Sequence, residues 1–316
     1  MLESLVFQVI ILSVSLLGLA SASHFAIKSV EKIVEITGLS EASVGFIILS
    51  VLTSTPEIIV AVFSVSQGNA GVSIGDILGS NVFNIAFVVG LLGILGYIKI
   101  CCTDLLVELT DMLSVILLIP LLLVVSQFQI LEIPSQLVGA LLLIAFVVST
   151  YLIARKRTPP VRSNGVSIIN RKTGRVILTL LGSFAIVVVS AQFTVISASN
   201  IAVALGIPAV LVGAKIVAIG TSLPELTLDL AAIRRGRIQL AIGGIIGSNL
   251  TNLTLVLGLV LLTSSFNVDL TVFIEIIPFL IISTVIFWRF IIRGGVSRIA
   301  GLMLILTYIL FQILVI

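Results

Sequence analysis

Apolar stretches of about 20 residues recur from one end of the chain to the other with brief polar breaks, and this recurrence limits the fold more than any other feature. A helix of that length crosses the roughly 30 Å hydrocarbon core of a bilayer. The spans read as 4–27, 43–66, 70–98, 105–127, 133–154, 174–199, 208–231, 238–264, 268–289 and 294–315. Ten helices follow, and no soluble domain is left over. Charged residues make up 10% of the 316 and hydrophobic ones 59%, against about 25% charged in a soluble domain, so a soluble fold is excluded.

The loops carry a strong charge bias. Lys28 and Lys32 fall in the first loop, Lys99 in the third, and Arg155, Lys156, Arg157, Arg162, Arg171, Lys172 and Arg175 in or beside the fifth. Arg234, Arg235 and Arg237 fall in the seventh; Arg289, Arg293 and Arg298 flank the ninth. Every Lys and Arg except Lys215 therefore lies on one side, which the positive-inside rule makes cytoplasmic. Both termini are then outside, in a multi-pass cell-membrane protein. The basic residues are spent on topology, so the net charge of +3 is no sign of nucleic acid. Cys101 and Cys102 are adjacent and have neither disulfide-framework nor metal-ligand spacing. A run at 4–18 followed by Ala20-Ser21-Ala22 has the outline of a signal peptide, but Glu3 stands where a positive n-region belongs, and the first helix is read as retained.

Slid against itself by 168 positions, the sequence aligns 38–90 with 206–258 without a gap, with 18 identities in 53. The rare polar and helix-breaking residues match: Thr53, Ser54, Pro56 and Glu57 fall on Thr221, Ser222, Pro224 and Glu225. Gly75, Gly79, Ser80, Asn81, Asn84 and Gly90 fall on Gly243, Gly247, Ser248, Asn249, Asn252 and Gly258. Five spans separate matching points, an odd number, so the two copies cross in opposite directions. The chain then divides into a first five-helix half at 1–154, a basic linker at 155–173 and a second half at 174–316. Inverted repeats with interrupted helices mark secondary transporters, their substrate site at the repeat interface.

Glu57 and Glu225 fall near the middle of their spans, where an ionisable side chain costs about 2.5–3.5 kcal/mol even on lenient scales. No Lys or Arg lies nearby in sequence; a bound cation, a proton or hydrogen bonding as a neutral acid between helices would relieve that cost. Pro56 and Pro224 each remove a backbone hydrogen bond and free carbonyls about one turn earlier, around Leu52 and Gly220. With the hydroxyls of Thr53, Ser54, Thr221 and Ser222, these oxygens suit a hard cation such as Ca²⁺. Ser80 and Asn84 share a helix face at i, i+4, as do Ser248 and Asn252, and complete the set. Two carboxylates give a formal charge of −2, which one Ca²⁺ neutralises and two or three Na⁺ match or slightly exceed. The glycines Gly75, Gly79, Gly243 and Gly247 read as close helix packing. Asp229, one turn from Glu225, has two readings: attracting cations into the inner mouth, or pairing with Arg234 or a neighbouring helix. Asp76 is its outer counterpart or an interfacial residue. Lys215 reads as snorkelling or paired. His24, the sole histidine, reads as interfacial, and Glu108, Asp111 and Glu275 receive no role.

These residues resemble the sodium/calcium exchangers of the calcium:cation antiporter superfamily, whose two alpha-repeats carry G-T-S-x-P-E/D and G-S-N-x-x-N/D motifs. Here they read LTSTPE at 52–57, GSNVFN at 79–84, GTSLPE at 220–225 and GSNLTN at 247–252. The resemblance implies cation ligands at Thr53, Ser54, Glu57, Ser80 and Asn84, and at Thr221, Ser222, Glu225, Ser248 and Asn252, with carbonyl oxygens from Ser50 and Ala218. It also implies exchange of Na⁺ for Ca²⁺ by alternating access. Leu52 departs from the motif glycine, which puts close packing there in doubt, and Thr55 replaces the usual leucine. An aspartate at the position of Asn252 accompanies potassium co-transport in some relatives, so Asn252 implies potassium independence. The 155–173 linker is too short for regulatory calcium-binding domains.

The expected partners are Ca²⁺, Na⁺ and the lipid bilayer; no cofactor, nucleic acid or obligatory protein partner is expected. A proton/calcium exchanger is the nearest rival, since an intramembrane carboxylate binds a proton as readily. A channel would gather identical subunits round a pore, whereas this chain closes its own two-fold site. An intramembrane aspartyl protease fails because Gly75-Asp76 has no Tyr-Asp partner on another span.

Overall fold

The structure is a computed structural model that describes residues 2–37, 41–66, 70–98, 110, 114, 118, 134–155, 172–204, 218–263 and 270–315. The described residues are almost entirely helical. Eleven segments are numbered here: α1 (Leu2–Thr37), α2 (41–53), α3 (Thr55–Ser66), α4 (70–94), α5 (Ser135–Arg155), α6 (Lys172–Ala204), α7 (Ala218–Thr221), α8 (Leu223–Arg234), α9 (Ile238–Thr263), α10 (Leu270–Ile292) and α11 (Arg298–Leu314). The span expected at 105–127 and the first half of that at 208–231 lie almost wholly outside the described residues, as do Cys101, Cys102, Glu108, Asp111 and Lys215.

The segments are long and apolar enough to span a membrane at 73–94, 135–153, 173–190, 238–263 and 275–292, and again at 45–62 if the bent pair α2 and α3 is one span. Of these, α4 and α9 are enclosed by other helices over 83% of their apolar windows, against 22% for α5 and 33% for α6. The motif-bearing helices thus form the centre, and α5 and α6 turn mostly outward. Phe7, Leu17, Leu178 and Ile186 are exposed, the distribution expected where hydrocarbon is the solvent.

Matching glycines set the central packing. A Cβ on Gly301 of α11 would lie 2.6 Å from the carbonyl oxygen of Gly90 on α4, and one on Gly139 of α5 would lie 2.7 Å from that of Gly258 on α9. Gly90 and Gly258 are repeat partners. Each half therefore clamps its last helix onto the central helix of the other at the same position, by backbone contact that only small residues allow. Along the side, α1 runs against α6 and also touches α8.

The two halves repeat their irregularities as well. The α2–α3 helix bends by 44° at Ser54 (φ −76°, ψ 3°), and α7 gives way to α8 at Ser222 (φ −91°, ψ 4°). Pro56 and Pro224 follow each break by two residues, where a missing N–H is tolerated. Each central helix also widens into a π turn, at Phe83–Val89 in α4 and Asn252–Val256 in α9.

Helix α8 stops at Gly236, whose φ of +76° is open to glycine without strain. Arg237 N donates to Ala232 O at 2.9 Å, closing the helix end. This turn aims two arginines at α1. Arg235 Nε and Nη2 donate to Glu31 Oε1 and Oε2 at 2.9 and 2.5 Å, and Arg237 Nε to Oε1 at 3.2 Å. Lys28, Lys32 and the 234–237 turn therefore share one end of the molecule, called here the basic end. The 36 residues of α1 reach about 54 Å, longer than the hydrocarbon core, so Glu31 falls in the segment beyond the span read at 4–27.

Candidate cation site

The breaks, the prolines and the π turns converge on one buried cluster. Glu57 and Glu225 open the first turns of α3 and α8 directly after their breaks, where helix N-termini present unpaired N–H groups. Both are buried, at 0% and 2% exposure. They lie close enough for the Glu225 charge to repel Glu57, and Asp76 of α4 repels both. Among the described residues no Lys or Arg pairs with either; the ion pairs run to Glu31.

The π turns carry the asparagines. Asn84 lies in one and Asn252 begins the other, a helix irregularity frequent at functional sites. Asn252 Nδ2 donates to Ser80 Oγ at 3.4 Å, joining the halves across the centre, while Ser80 Oγ donates to Ile77 O at 3.0 Å. With its amide nitrogen engaged, Asn252 leaves Oδ1 without a hydrogen bond among the described residues. Thr53 of the first half faces the Glu225 carboxylate of the second. Ser248 Oγ donates to Ile245 O at 3.1 Å, as its repeat partner does.

Most of the residues singled out in the sequence thus sit together. Buried oxygens without a hydrogen bond among the described residues include Ser54 Oγ, Ser222 Oγ, Asn84 Oδ1, Asn252 Oδ1 and both carboxylates. Burying a polar atom unpaired costs about 1–3 kcal/mol, and more for a charge, so a concentration of them in repeat-matched pairs is what a cation cage requires. Two members differ. Ser50 O already accepts from Ser54 N at 2.9 Å and from Thr53 Oγ1 at 3.2 Å, which uses both lone pairs; as a ligand it would have to shed the hydroxyl. Thr221 and Ala218 are placed in α7, their side chains outside the described set. Among the described residues no three His, Cys, Asp or Glu side chains form a metal cluster, so amide, hydroxyl and carbonyl oxygens must supply much of any shell.

The packing reading of the glycines holds for Gly247; for Gly79 the repeat partner of Phe46, Ala214, lies outside the described residues. A Cβ on Gly247 would meet Phe46 Cα and O at 2.7 Å, whereas one on Gly79 meets nothing within 4 Å among the described residues. Pairing of Asp229 with Arg234 is not formed either: Asp229 is buried and Arg234 exposed. Sequence reasoning left Asn81 and Asn249 unassigned, yet both are fully buried on the site helices α4 and α9, their amide oxygens without a hydrogen bond among the described residues; their match in the repeat was the available signal.

The model of the family described as "Sodium/calcium exchanger protein" matches residues 7–155 and 175–316. The chain belongs to this family. Its members are transporters, not enzymes. The exchanger is 28% identical to the sodium/calcium exchanger MaX1 of Methanosarcina acetivorans, over 96% of this chain and 97% of that one. It is 28% identical to the inner membrane protein YrbG of Escherichia coli over 73% of this chain and 72% of that one. Among solved structures it superposes on the sodium-calcium exchanger NCX_Mj, soaked in Na⁺ without Ca²⁺, with a TM-score of 0.82 and 25% identity over 97% of this chain and 98% of that one. The all-helical, multi-pass membrane fold and an activity of cation exchange follow.

Proposed function

We propose that this exchanger moves Ca²⁺ against Na⁺ by alternating access, independently of potassium, and that Glu57, Glu225, Asn84, Asn252 and the hydroxyls of Thr53, Ser54, Ser80, Thr221, Ser222 and Ser248 hold the cargo, with the Ser50 and Ala218 carbonyls. The observation that carries this reading is the pair of buried carboxylates without a basic partner, ringed by matching unpaired oxygens from both halves. Two negative charges at the centre of a bilayer need a counter-charge. One Ca²⁺ or a small group of Na⁺ supplies it, and the same oxygens cannot serve both loads at once. An empty site would leave two like charges in a low dielectric, which disfavours crossing without cargo and couples the two fluxes. Asn252, neutral where an acid accompanies potassium use, keeps the site at −2. The two halves, 1–154 and 174–316, rock as inverted units joined by the basic linker 155–173, with that linker cytoplasmic and both termini outside.

The experiment is radiolabelled Ca²⁺ uptake into proteoliposomes under an outward Na⁺ gradient, with parallel vesicles given a pH gradient, a K⁺ gradient or none. Uptake driven by Na⁺ alone is expected. Uptake driven only by protons would replace this reading by proton/calcium exchange on the same carboxylates.

A further inference from the structure

A third buried carboxylate lies between the glutamates and the basic end. Asp229 stands on α8 one turn beyond Glu225, about 6 Å further towards the 234–237 turn. It is 2% exposed, its Oδ2 accepts no hydrogen bond among the described residues, and its charge acts on Glu225. A carboxylate held this way is relieved by a proton or by a bound cation.

The opposing helix is shaped around it. A Cβ on Gly244 of α9 would lie 3.3 Å from Asp229 Oδ1 and 3.0 Å from Leu49 Cδ2 of α2. Gly244, Ser248 and Asn252 follow one another at i, i+4 and i+8 along one face of α9, as Glu225 and Asp229 do along α8. The line of oxygens at the centre therefore continues one turn and ends at Asp229, where Leu49, itself buried, covers it. Beyond Leu49, a Cβ on Gly45 of α2 would meet Leu240 O of α9, so α2 is sealed onto α9 by backbone contact.

The repeat supplies an independent observation. At the same offset of 168, Asp229 aligns with Ala61 and Gly244 with Asp76. Each half thus has one acid and one small residue at this level, with the acid on α8 in the second half and on α4 in the first. Asp76 acts electrostatically on both glutamates. A carboxylate flanks the centre on each side, although the helix that bears it is exchanged.

We propose that Asp229 coordinates the exchanged cations at an entry position between the central site and the basic end, with Asp76 its counterpart on the opposite side. The position is closed while α2 lies against α9 and opens when they part, so that a cation arriving from the basic end meets Asp229 before the glutamates. This rests on the exchange reading above.

The test is Na⁺-driven Ca²⁺ uptake in right-side-out and inverted membrane vesicles, with the face bearing residue 234 identified by labelling Arg234→Cys. Asp229→Asn is expected to raise the KM for Ca²⁺ at that face on the order of tenfold and to leave the opposite face within about twofold. Asp229→Ala combined with Gly244→Asp, which gives the second half the arrangement of the first, is expected to recover most of that loss. Uptake is normalised to folded protein, so that loss of protein does not enter the comparison of KM. Equal KM shifts at both faces, no shift at either, or no recovery in the exchanged variant would overturn the proposal. Wild-type vesicles without uptake would instead remove the exchange reading itself.

Discussion

Asn252 Nδ2 donates to Ser80 Oγ across 3.4 Å, so a residue of the second repeat orients one of the first at the point where the halves meet. Because Ser80 passes its own hydrogen to Ile77 O, the Asn252 amide is fixed with its oxygen directed away from this bond. Asn252→Ala and Ser80→Ala are each expected to weaken apparent Ca²⁺ affinity, by about 1 kcal/mol or roughly fivefold. The double variant should fall short of their sum, since both remove one bond. Ca²⁺-concentration curves for the four proteins check this; strict additivity would show that the contact does not orient the site.

Gly247 of α9 stands directly against the backbone of α2. Gly247→Ala drives a methyl to 2.7 Å from the Phe46 backbone and should cost about 1–3 kcal/mol. Melting of this variant beside the wild type in a thermostability assay measures the cost, and an unchanged melting temperature would contradict the close α2–α9 contact.

Glu31 is held below the usual carboxylate range by its hydrogen bond to Arg235 and, more weakly, by Arg237. A folded value below the unfolded one of 4.5 means that its stabilisation is complete above pH 4.5 and is lost as pH falls through the folded value. Glu31→Gln should cost about 1 kcal/mol at neutral pH. It should also flatten this part of the acid dependence and reduce the effect of salt. Melting temperatures from pH 7 down to about 3, with and without added NaCl, measure all three.

The membrane fold was legible because its cause is local: a segment of about 20 apolar residues declares itself wherever it stands. The cluster was legible through duplication, since Glu57 and Glu225 match at a fixed offset and each follows a proline. What stayed hidden depends on the partner across a contact. Glu31 and Arg235 are 204 residues apart, and nothing in either neighbourhood announces the pair. Gly247 gives no sign in its own neighbourhood that the Phe46 backbone stands opposite. The π turns at Asn84 and Asn252 are equally silent, because an extra residue in a helical turn leaves the apolar period nearly unaltered. Asp229 and Asp76 could be read as counterparts from the sequence, but the room that Gly244 leaves for Asp229 could not.

The proposed sidedness of the molecule rests on its charged ends. A cysteine at position 234 should react with an impermeant maleimide only in inverted vesicles, and one at Gln312 only in right-side-out vesicles. The opposite pattern would reverse the orientation proposed for the linker and termini while leaving the site intact.

The central claim is that the two buried glutamates hold the cargo. Na⁺-driven Ca²⁺ uptake by Glu57→Gln and Glu225→Gln, set beside the wild-type rate and normalised to folded protein, tests it most directly. Each amide keeps the shape and removes one charge, so the account predicts a loss of more than about 100-fold with insertion and melting temperature preserved. Uptake at the wild-type rate in both variants would contradict it.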